Sequence, residues 1–284
     1  MHKEIIFSLI MATYGRKGEI ALFLDSLLIQ KFPMEKVEVI IVDQNDEIDL
    51  ADIFNKYSKL LNLIYIKSER KGLSLNKNLG LKKAAGKYIA FPDDDCTYYS
   101  DTLSNVYTLF RKYHDVDVLL GRIIDREHNK NIIRNWSSNE FKITRNNFFL
   151  NYSSITIFTK KNNLLFDEKL GVGTYFGSNE DADYVFNILK NNKKIYYTPK
   201  IEVWHPEPKE QKVNYNKIYS YGLGFGALVI KHFSFSMLFL FIQAIGYHSI
   251  KLLYSLLKLN KIEMKKSWIS ILSRFKGAYK YAVK

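Results

Sequence analysis

The sequence contains one cysteine, Cys96, among 284 residues. A single thiol excludes an internal disulfide framework and a cysteine-rich zinc site. A reducing compartment is therefore the simplest expectation. No cleavable signal peptide is visible, because Lys3 and Glu4 precede only a short apolar run that is typical of a buried strand.

Acidic residues are scarce towards the C-terminus. Residues 251–284 contain nine basic residues and one acid, Glu263, which gives this segment a net charge of +8. The first 250 residues contribute only +5 to the formal charge of +13. A charge of this size indicates nucleic acid, a membrane surface or a phosphorylated ligand as partner. Most of this positive charge lies in the C-terminal tail rather than in the main domain.

Charged residues are absent from residues 233–250, directly before the basic tail. This segment allows three interpretations: a buried core helix, a membrane-spanning helix, or a helix at the membrane interface. A span needs about 20 residues, and here it would place the basic tail opposite a cytosolic domain, against the positive-inside rule. We therefore favour the interface, where apolar side chains enter the lipid and lysines meet anionic headgroups. The apolar content also favours lipid over nucleic acid as partner.

Apolar strand-like runs alternate with helical patterns along most of the chain. Strands are predicted at residues 5–12, 37–42, 63–66, 88–91, 116–120, 154–158 and 195–203. Helices are predicted at residues 19–30, 50–61, 75–85 and 179–190. This order predicts an α/β fold with a mainly parallel sheet and flanking helices. The polar stretch 125–147 is typical of a loop, and a boundary near Pro206 and Pro208 predicts a domain at 1–208 and a helical, membrane-associating region at 209–284.

Asp93, Asp94 and Asp95 follow directly after the predicted strand 88–91. Three adjacent carboxylates repel one another, and a cation such as Mg²⁺ or Mn²⁺ with oxygen ligands relieves that repulsion. A solvated acidic turn is the alternative. Ligands bind beyond the carboxyl ends of parallel strands, where both this run and Asp43 fall, so the position favours a ligand site.

Four segments, in this order, resemble the family 2 glycosyltransferases with the Rossmann-like GT-A fold. They read FSLIMATYGR, VEVIIVDQND, KGLSLNKNLGLKKAAGKYIAFPDDD and GSNEDADYVFNILK. The resemblance covers roughly residues 1–205 and is weak at 125–170. It implies an inverting, metal-dependent transfer of a hexosyl or N-acetylhexosaminyl group from a nucleotide-sugar, typically a UDP-sugar. It further implies a membrane-bound, polyprenyl-diphosphate-linked saccharide acceptor in surface polysaccharide assembly.

The resemblance also assigns roles to individual side chains. Asp181 matches the catalytic base, and Asp93, Asp95 and His205 match positions that hold the metal ion, Mn²⁺ or Mg²⁺. The donor-binding set that it implies consists of Thr13, Tyr14, Arg16, Asp43, Lys77, Asp93, Asp94 and Glu180. In this set Asp43 contacts the base, Thr13 and Tyr14 pack against it, and Lys77 meets the diphosphate. Two positions depart from the family pattern: Gly15 replaces an Asn, and Lys77 replaces an Arg that would bind bidentately.

Other interpretations remain open from the residues alone. Asp181 also suits a helix N-terminus, where negative charge is favourable, and His205 also suits a structural histidine. A metal-dependent nucleotidyltransferase would share the carboxylates but would release pyrophosphate, and a nonenzymatic protein would use the tail to bind anionic membranes. We expect an enzyme at the cytoplasmic face of the cell membrane, peripheral or interfacial, with no nucleic-acid partner.

Overall fold

The computed structural model describes residues 4–207 and 213–283. The chain forms two units. The first comprises Met1–Lys71, Leu75–Leu165 and Asn187–Pro208, and the second comprises Gly72–Ser74, Phe166–Phe186 and Lys209–Lys284. Two internal segments thus group with the C-terminal helices. The division into domains at residue 208 stays a prediction.

The first unit is built on a sheet of ten strands among the described residues. The strands are β1 (Phe7–Thr13), β2 (Val37–Asp43), β3 (Asn62–Lys67), β4 (Tyr88–Ala90), β5 (Thr97–Tyr98), β6 (Val118–Asp125), β7 (Lys130–Asn131), β8 (Phe141–Ile143), β9 (Ile157–Lys160) and β10 (Ile195–Trp204). Their order is β3-β2-β1-β4-β9-β6-β10-β5, with β7 beside β6 and β8 beside β10. The four strands β1 to β4 are parallel, as is the β6–β10 pair, whereas β9 runs antiparallel to both β4 and β6. The predicted α/β class is confirmed, with a mixed sheet.

The central strands of this sheet read as continuous apolar runs because both faces are covered. Every residue of β2 is buried, as expected for a strand inside the parallel part of the sheet. β1 and β2 are in register from Phe7 opposite Val37 to Thr13 opposite Asp43. Thr13 and Asp43 therefore lie side by side at the carboxyl edge. β4 pairs with the other side of β1, so that the acidic run after β4 follows the same edge.

The helices of the first 190 residues connect these strands. They are α1 (Gly18–Leu28), α2 (Ala51–Tyr57), α3 (Leu73–Lys83), α4 (Thr102–Lys112) and α5 (Glu180–Lys190), with short 3₁₀ turns at Met34–Lys36, Phe148–Leu150 and Ser154–Thr156. α1 buries Ile20, Phe23, Leu24 and Leu27, the spacing of an amphipathic helix on a core. The loop predicted at 125–147 is wrong in part, because β7 and β8 lie within it. β8 forms by pairing with the distant β10, which its local sequence does not reveal.

Three long helices follow in the second unit: α6 (Tyr215–Lys231), α7 (Phe235–Leu257) and α8 (Lys261–Ala282). Each begins at a side-chain cap that accepts a hydrogen bond from the third backbone N–H of its helix. The capping residues are Asn214, Ser234 and Asn260. The helical C-terminal region predicted from the sequence is confirmed.

Glycines bring the backbones of α6 and α8 into contact. A Cβ placed on Gly277 would lie 2.1 Å from the carbonyl oxygen of Leu223, and one on Gly226 would lie 2.1 Å from that of Arg274. Both separations are far below van der Waals contact. A side chain at either position would therefore force the two helices apart.

Gly277→Ala is expected to destabilise the second unit by about 1–3 kcal/mol, the usual cost of overpacking. Gly246 of α7 is a matched control, because a Cβ there meets nothing within 4 Å. Gly246→Ala is expected to be neutral or to stabilise by up to about 1 kcal/mol through helix propensity. Urea unfolding of both variants, followed by circular dichroism, measures the difference. Equal stability of the two variants would contradict the close backbone contact.

The uncharged segment 233–250 lies within α7, and α7 is mostly exposed. Within α7 only Met237 and Ser255 are buried, so the interpretation as a buried core helix is wrong. Its outward face carries exposed apolar side chains at helical spacing: Phe235, Phe239, Ile242, Ile250, Leu253 and Leu257. Among the described residues, α7 is the one helix long and apolar enough to cross a membrane.

Candidate functional site

Two carboxylates and an imidazole come together at the carboxyl edge of the sheet. One ligand atom each from Asp93, Asp95 and His205 lie within 4.8 Å of one another. The pairing of β5 with β10 explains this group. Thr97 lies opposite Trp204 in that antiparallel pair, so that the residues just before β5 meet the residue just after β10. The structure thus brings His205 to the predicted metal ligands Asp93 and Asp95, from which it is more than a hundred residues away in sequence.

The orientation of His205 suits a metal ligand. Its Nδ1 lies 2.7 Å from the carbonyl oxygen of Pro206, and an N–H at Nδ1 that donates to this carbonyl leaves the Nε2 lone pair for a cation. Metal-bound histidines are commonly oriented in this way. Nε2 lies 3.3 Å from Oδ1 of Asp95. Burial lowers the pKa of His205, but the hydrogen bond and charge of Asp95, with smaller contributions from Pro206 and Asp93, raise it above its usual value overall.

The same group could hold a divalent cation. Two carboxylate oxygens and one imidazole nitrogen form a donor set that accommodates Mn²⁺, and the oxygens alone suit Mg²⁺. Two basic side chains, Arg16 and His205, lie beside the carboxylate of Asp95. Arg16 Nη2 lies 2.7 Å from Oδ2 of Asp95, beside the contact from His205. The site therefore attracts positive charge from both sides.

Asp94, unlike Asp93 and Asp95, does not belong to the group of candidate metal ligands. It is buried, accepts a 2.7 Å hydrogen bond from the hydroxyl of Thr13 and pairs with Arg16. Burial raises the pKa of Asp94 above its usual value, although Thr13 and Arg16 oppose the shift. Arg16 bridges Asp94 and Asp95. Thr13, Arg16 and Asp94 thus form a support that orients Asp95.

Asp43 lies fully buried at the end of β2, with both oxygens bound. Oδ1 accepts from the backbone N–H and the amide of Asn45 at 2.8 and 2.7 Å. Oδ2 accepts from the Tyr65 hydroxyl at 2.6 Å and from Lys67 Nζ at 2.9 Å. Burial raises the pKa of Asp43, but these hydrogen bonds outweigh it and hold the pKa below its usual value. A nucleobase N–H could donate to Asp43 only by replacing one of these four donors. Lys67 is the donor best placed to move away, because its side chain is half-exposed.

Tyr65 and Lys67 were missed by the sequence-based reasoning, although the strand register contains the signal. Tyr65 and Lys67 lie on β3, and Lys67 stands directly opposite Asp43 in the β2–β3 pair. Alternation along a strand puts residues two apart on the same face. Once β2 and β3 are aligned, both side chains are therefore placed beside the carboxylate.

Tyr14 is the exposed member of the predicted donor set. Its side chain is 56% exposed, and Nζ of Lys71 lies 4.9 Å from the ring centroid. The following residue, Gly15, has φ +78°, and its N–H donates to Oδ1 of Asn45 at 2.5 Å. Glycine adopts such left-handed backbone readily, and Asn is among the few other residues that do. Gly15 can thus serve the same turn as the Asn usual in the family.

Lys77 is buried rather than presented at the surface. Its side chain is 1% exposed, and Nζ donates to the hydroxyl of Ser154 at 2.8 Å. The ring of Phe91, two residues before Asp93, lies 5.9 Å from the same Nζ. The ammonium group therefore sits in the interior beside the end of β4, and its contact with a diphosphate stays a prediction.

Glu180 and Asp181 open α5 and belong to the second unit. Asp181 is half-buried, whereas Glu180 is buried and packs against the turn at Gly171. The next acid, Asp183, is fully buried and binds Lys231 Nζ at 2.8 Å and His232 Nε2 at 2.7 Å. The sequence-based reasoning did not identify this buried ion-pair network. It fixes the first turn of α5 to the end of α6.

A sheet whose parallel strands end in acidic side chains, with a carboxylate–imidazole group beside them, is the architecture of the GT-A nucleotide-sugar enzymes. Residues 8–173 match the family described as glycosyl transferase family 2, and they make up more than half of the chain. The chain belongs to glycosyl transferase family 2. The family resemblance is thus confirmed.

Two curated relatives are similar to parts of this chain. The minor teichoic acid biosynthesis protein GgaB of Bacillus subtilis is 29% identical over 224 residues, which cover 72% of this chain and 23% of that protein. The poly(ribitol-phosphate) β-N-acetylglucosaminyltransferase TarS of Staphylococcus aureus is 33% identical over 116 residues, which cover 40% of this chain and 20% of TarS. The chain therefore spans less than a quarter of either relative.

Solved structures share the fold at low identity. Residues 1–349 of S. aureus TarS in complex with UDP-GlcNAc superpose with a TM-score of 0.58 at 20% identity, over 98% of this chain and 92% of that one. The mannosyltransferase PcManGT of Pyrobaculum calidifontis, in complex with GDP-Man and Mn²⁺, gives a TM-score of 0.64 at 16% identity, over 99% and 88%. At these identities the likeness shows the fold alone.

Proposed function

We propose that this protein is an inverting glycosyltransferase that transfers a sugar from a UDP-linked donor with the help of Mn²⁺ or Mg²⁺. The observation that carries the proposal is the group Asp93, Asp95 and His205 at the carboxyl edge of the sheet. A divalent cation bound there supplies positive charge to the departing nucleoside diphosphate. Arg16 keeps Asp95 oriented towards that role through its bridge to Asp94.

The donor in this proposal is a UDP-hexose or UDP-N-acetylhexosamine. Tyr14 offers an exposed ring for contact with the base. Asp43 accepts a hydrogen bond from the base when Lys67 yields its place, and Lys77 contributes positive charge towards the diphosphate. The complex of TarS with UDP-GlcNAc supports a uridine donor for this fold, whereas the GDP-Man complex of PcManGT shows that the fold also accommodates guanosine.

Asp181 is the proposed catalytic base. An inverting transfer needs a group that takes the proton from the acceptor hydroxyl as it attacks the anomeric carbon. A half-buried carboxylate in the first turn of a helix can do this, and the ion pairs of Asp183 hold that turn in place. Glu180, packed against the turn at Gly171, supports the same segment.

The proposed acceptor is a membrane-bound saccharide carried on a polyprenyl diphosphate, in the assembly of a surface polysaccharide. Relatives named for teichoic acid biosynthesis and for poly(ribitol-phosphate) glycosylation support a cell-surface polymer as the destination. In this proposal the enzyme works at the cytoplasmic face of the membrane, and the exposed apolar side chains of α7 suit contact with lipid.

α7 is better suited to lie on this membrane than to cross it. It packs side by side with α8 through Phe241 and Phe275, whose ring centroids are 5.3 Å apart, and through the 2.8 Å ion pair of Lys251 with Glu263. A spanning α7 would therefore carry α8 into the bilayer. Basic residues are spread along α8 at Lys261, Lys265, Lys266, Arg274, Lys276 and Lys280. Each would cost about 2.5–3.5 kcal/mol at the bilayer centre, whereas an interfacial helix pair keeps them near the headgroups.

A panel of nucleotide-sugars tests the proposed activity. We expect purified protein to release UDP from one UDP-sugar in the presence of Mn²⁺, slowly by hydrolysis and faster with a lipid-linked acceptor. EDTA is expected to remove the activity, and Mn²⁺ or Mg²⁺ to restore it. Release of pyrophosphate instead of UDP would assign a nucleotidyltransferase. Turnover that is unchanged by EDTA would contradict the role of the metal group.

A further inference from the structure

Arg274 of α8 is a half-buried cation without an acidic partner among the described residues. Its Nη1 donates to the carbonyl oxygen of Ser270 at 2.8 Å, and its guanidinium lies 5.1 Å from the ring centroid of Phe225. Its Nε is buried and has no hydrogen-bond partner. Burial alone lowers the pKa of Arg274 to about 10. A buried charge is costly unless an anion pairs with it.

Two more buried polar atoms in the same helix pair have neither a hydrogen bond nor an ion pair. They are Nδ1 of His248 on α7 and the hydroxyl of Ser267 on α8. Burial and the positive charges of Arg274 and Lys251 lower the pKa of His248 to about 4. His248 is therefore a neutral donor or acceptor beside a fixed positive charge.

The geometry of the α7–α8 hairpin brings these groups together. The ring contact of Phe241 with Phe275 and the ion pair of Lys251 with Glu263 set the antiparallel alignment. His248 lies between those two points, opposite the middle of α8. Side chains on a helix lean towards its N-terminus, and the bond from Arg274 to Ser270 shows that its guanidinium lies over the preceding turn, towards Ser267.

We infer that Arg274, His248 and Ser267 form a binding site for the phosphate of an anionic lipid headgroup. Phosphate oxygens accept from guanidinium, imidazole and hydroxyl donors at once, and a guanidinium matches them in shape. The surroundings indicate lipid rather than a soluble phosphate, because exposed apolar side chains such as Leu253, Trp268 and Leu272 lie on the same two helices. The Arg274 side chain is partly exposed, which gives a headgroup access. This inference rests on the proposed membrane association.

Vesicle binding by full-length variants tests the site. Phosphatidylcholine vesicles are doped with phosphatidic acid, or with oleic acid to the same surface potential, so that they differ in phosphate but not in charge. Arg274→Gln is compared with Lys276→Gln, which removes one exposed charge from the same helix. Lys276→Gln is expected to weaken binding to both vesicles by about fivefold, the effect of one surface charge. Arg274→Gln is expected to lose at least about tenfold more on phosphatidic acid than on oleate vesicles.

Arg274→Lys keeps the positive charge. It is the control for the possibility that Arg274→Gln weakens binding because the variant does not fold. It is expected to match the wild type on oleate vesicles and to lose its preference for phosphatidic acid. Equal weakening by Arg274→Gln and Lys276→Gln on both vesicles would overturn the site, and so would a wild type without preference for phosphate. Stabilisation of the wild type, but not of Arg274→Gln, by inorganic phosphate without vesicle binding would overturn the lipid source.

Leu253→Gln separates this inference from membrane association itself. It removes an exposed apolar side chain of α7 and leaves the three polar groups in place. We expect weaker binding to both vesicles with the preference for phosphatidic acid retained. If wild type and Leu253→Gln both fail to bind any vesicle, the proposed membrane association is wrong. If the wild type binds and only the phosphate preference is absent, the association stands and the site is wrong.

Discussion

Asp95→Asn is expected to lower kcat for sugar transfer by about a thousandfold or more. The side chain belongs to the group with Asp93 and His205, and in the proposed mechanism a cation held there would contribute several kcal/mol to the stability of the transition state. A loss of about 4 kcal/mol corresponds to roughly a thousandfold in rate. The amide keeps the shape of the carboxylate but not its charge. Initial rates at saturating donor and Mn²⁺, together with Mn²⁺ titration by calorimetry, measure both consequences.

Asp125 supplies the matched control for this substitution. It belongs to a second group of two carboxylates and a histidine, with Glu127 and His128, in which the latter two are exposed. Asp125 already accepts from the backbone N–H groups of Glu127 and His128, which ties it to its own turn. Asp125→Asn is expected to leave kcat and Mn²⁺ affinity within about twofold of the wild type. If it lowers Mn²⁺ affinity as much as Asp95→Asn does, the assignment of the metal group is wrong.

The parallel half of the fold could be predicted because its signals are local. β1, β2 and β4 are short apolar runs bounded by polar residues, and helical patterns separate them. Alternation of this kind fixes a parallel order, and a parallel order fixes which strand ends meet. The positions of Asp43 and of the run from Asp93 at one edge follow from that logic alone.

The second half of the site depends on long-range pairing, which a single sequence does not encode locally. β5 is two residues long, and its pairing with β10 places His205 beside Asp95. Only the family resemblance pointed to His205. The surroundings of Asp43 are similar in this respect, because Tyr65 and Lys67 reach it through the register of β3 rather than through any motif.

The tail shows a different limit of sequence-based prediction. The basic residues of 251–284 and the uncharged segment 233–250 were evident from the sequence. Composition alone could not distinguish a core helix from a surface helix in that uncharged segment. That distinction depends on which neighbours cover the helix. α8 packs along one side of α7, and its glycines and serines pack closely against α6. The outward face of α7, with Phe239 and Ile242, is left exposed.

Asp181→Asn is expected to lower kcat by between about a hundredfold and ten-thousandfold, the range for loss of a general base. The donor is bound by other residues in this proposal, so its dissociation constant is expected to change by less than about threefold. The competing explanation is that Asp181 only favours the N-terminus of α5. A helix-dipole contribution is worth about 0.3–1 kcal/mol of stability and would leave kcat nearly unchanged.

Asp52→Asn provides the comparison that separates the two explanations. Asp52 lies in the first turn of α2, and its exposed side chain pairs with Lys17 at 2.9 Å. Both substitutions remove one negative charge from a helix N-terminus, and both are expected to lower stability by at most about 1 kcal/mol. Only Asp181→Asn is expected to reduce transfer, measured as product per enzyme at saturating donor and acceptor. Equal activity of the two variants would remove Asp181 from the mechanism while leaving the metal group untouched, because that group is tested independently through Asp95.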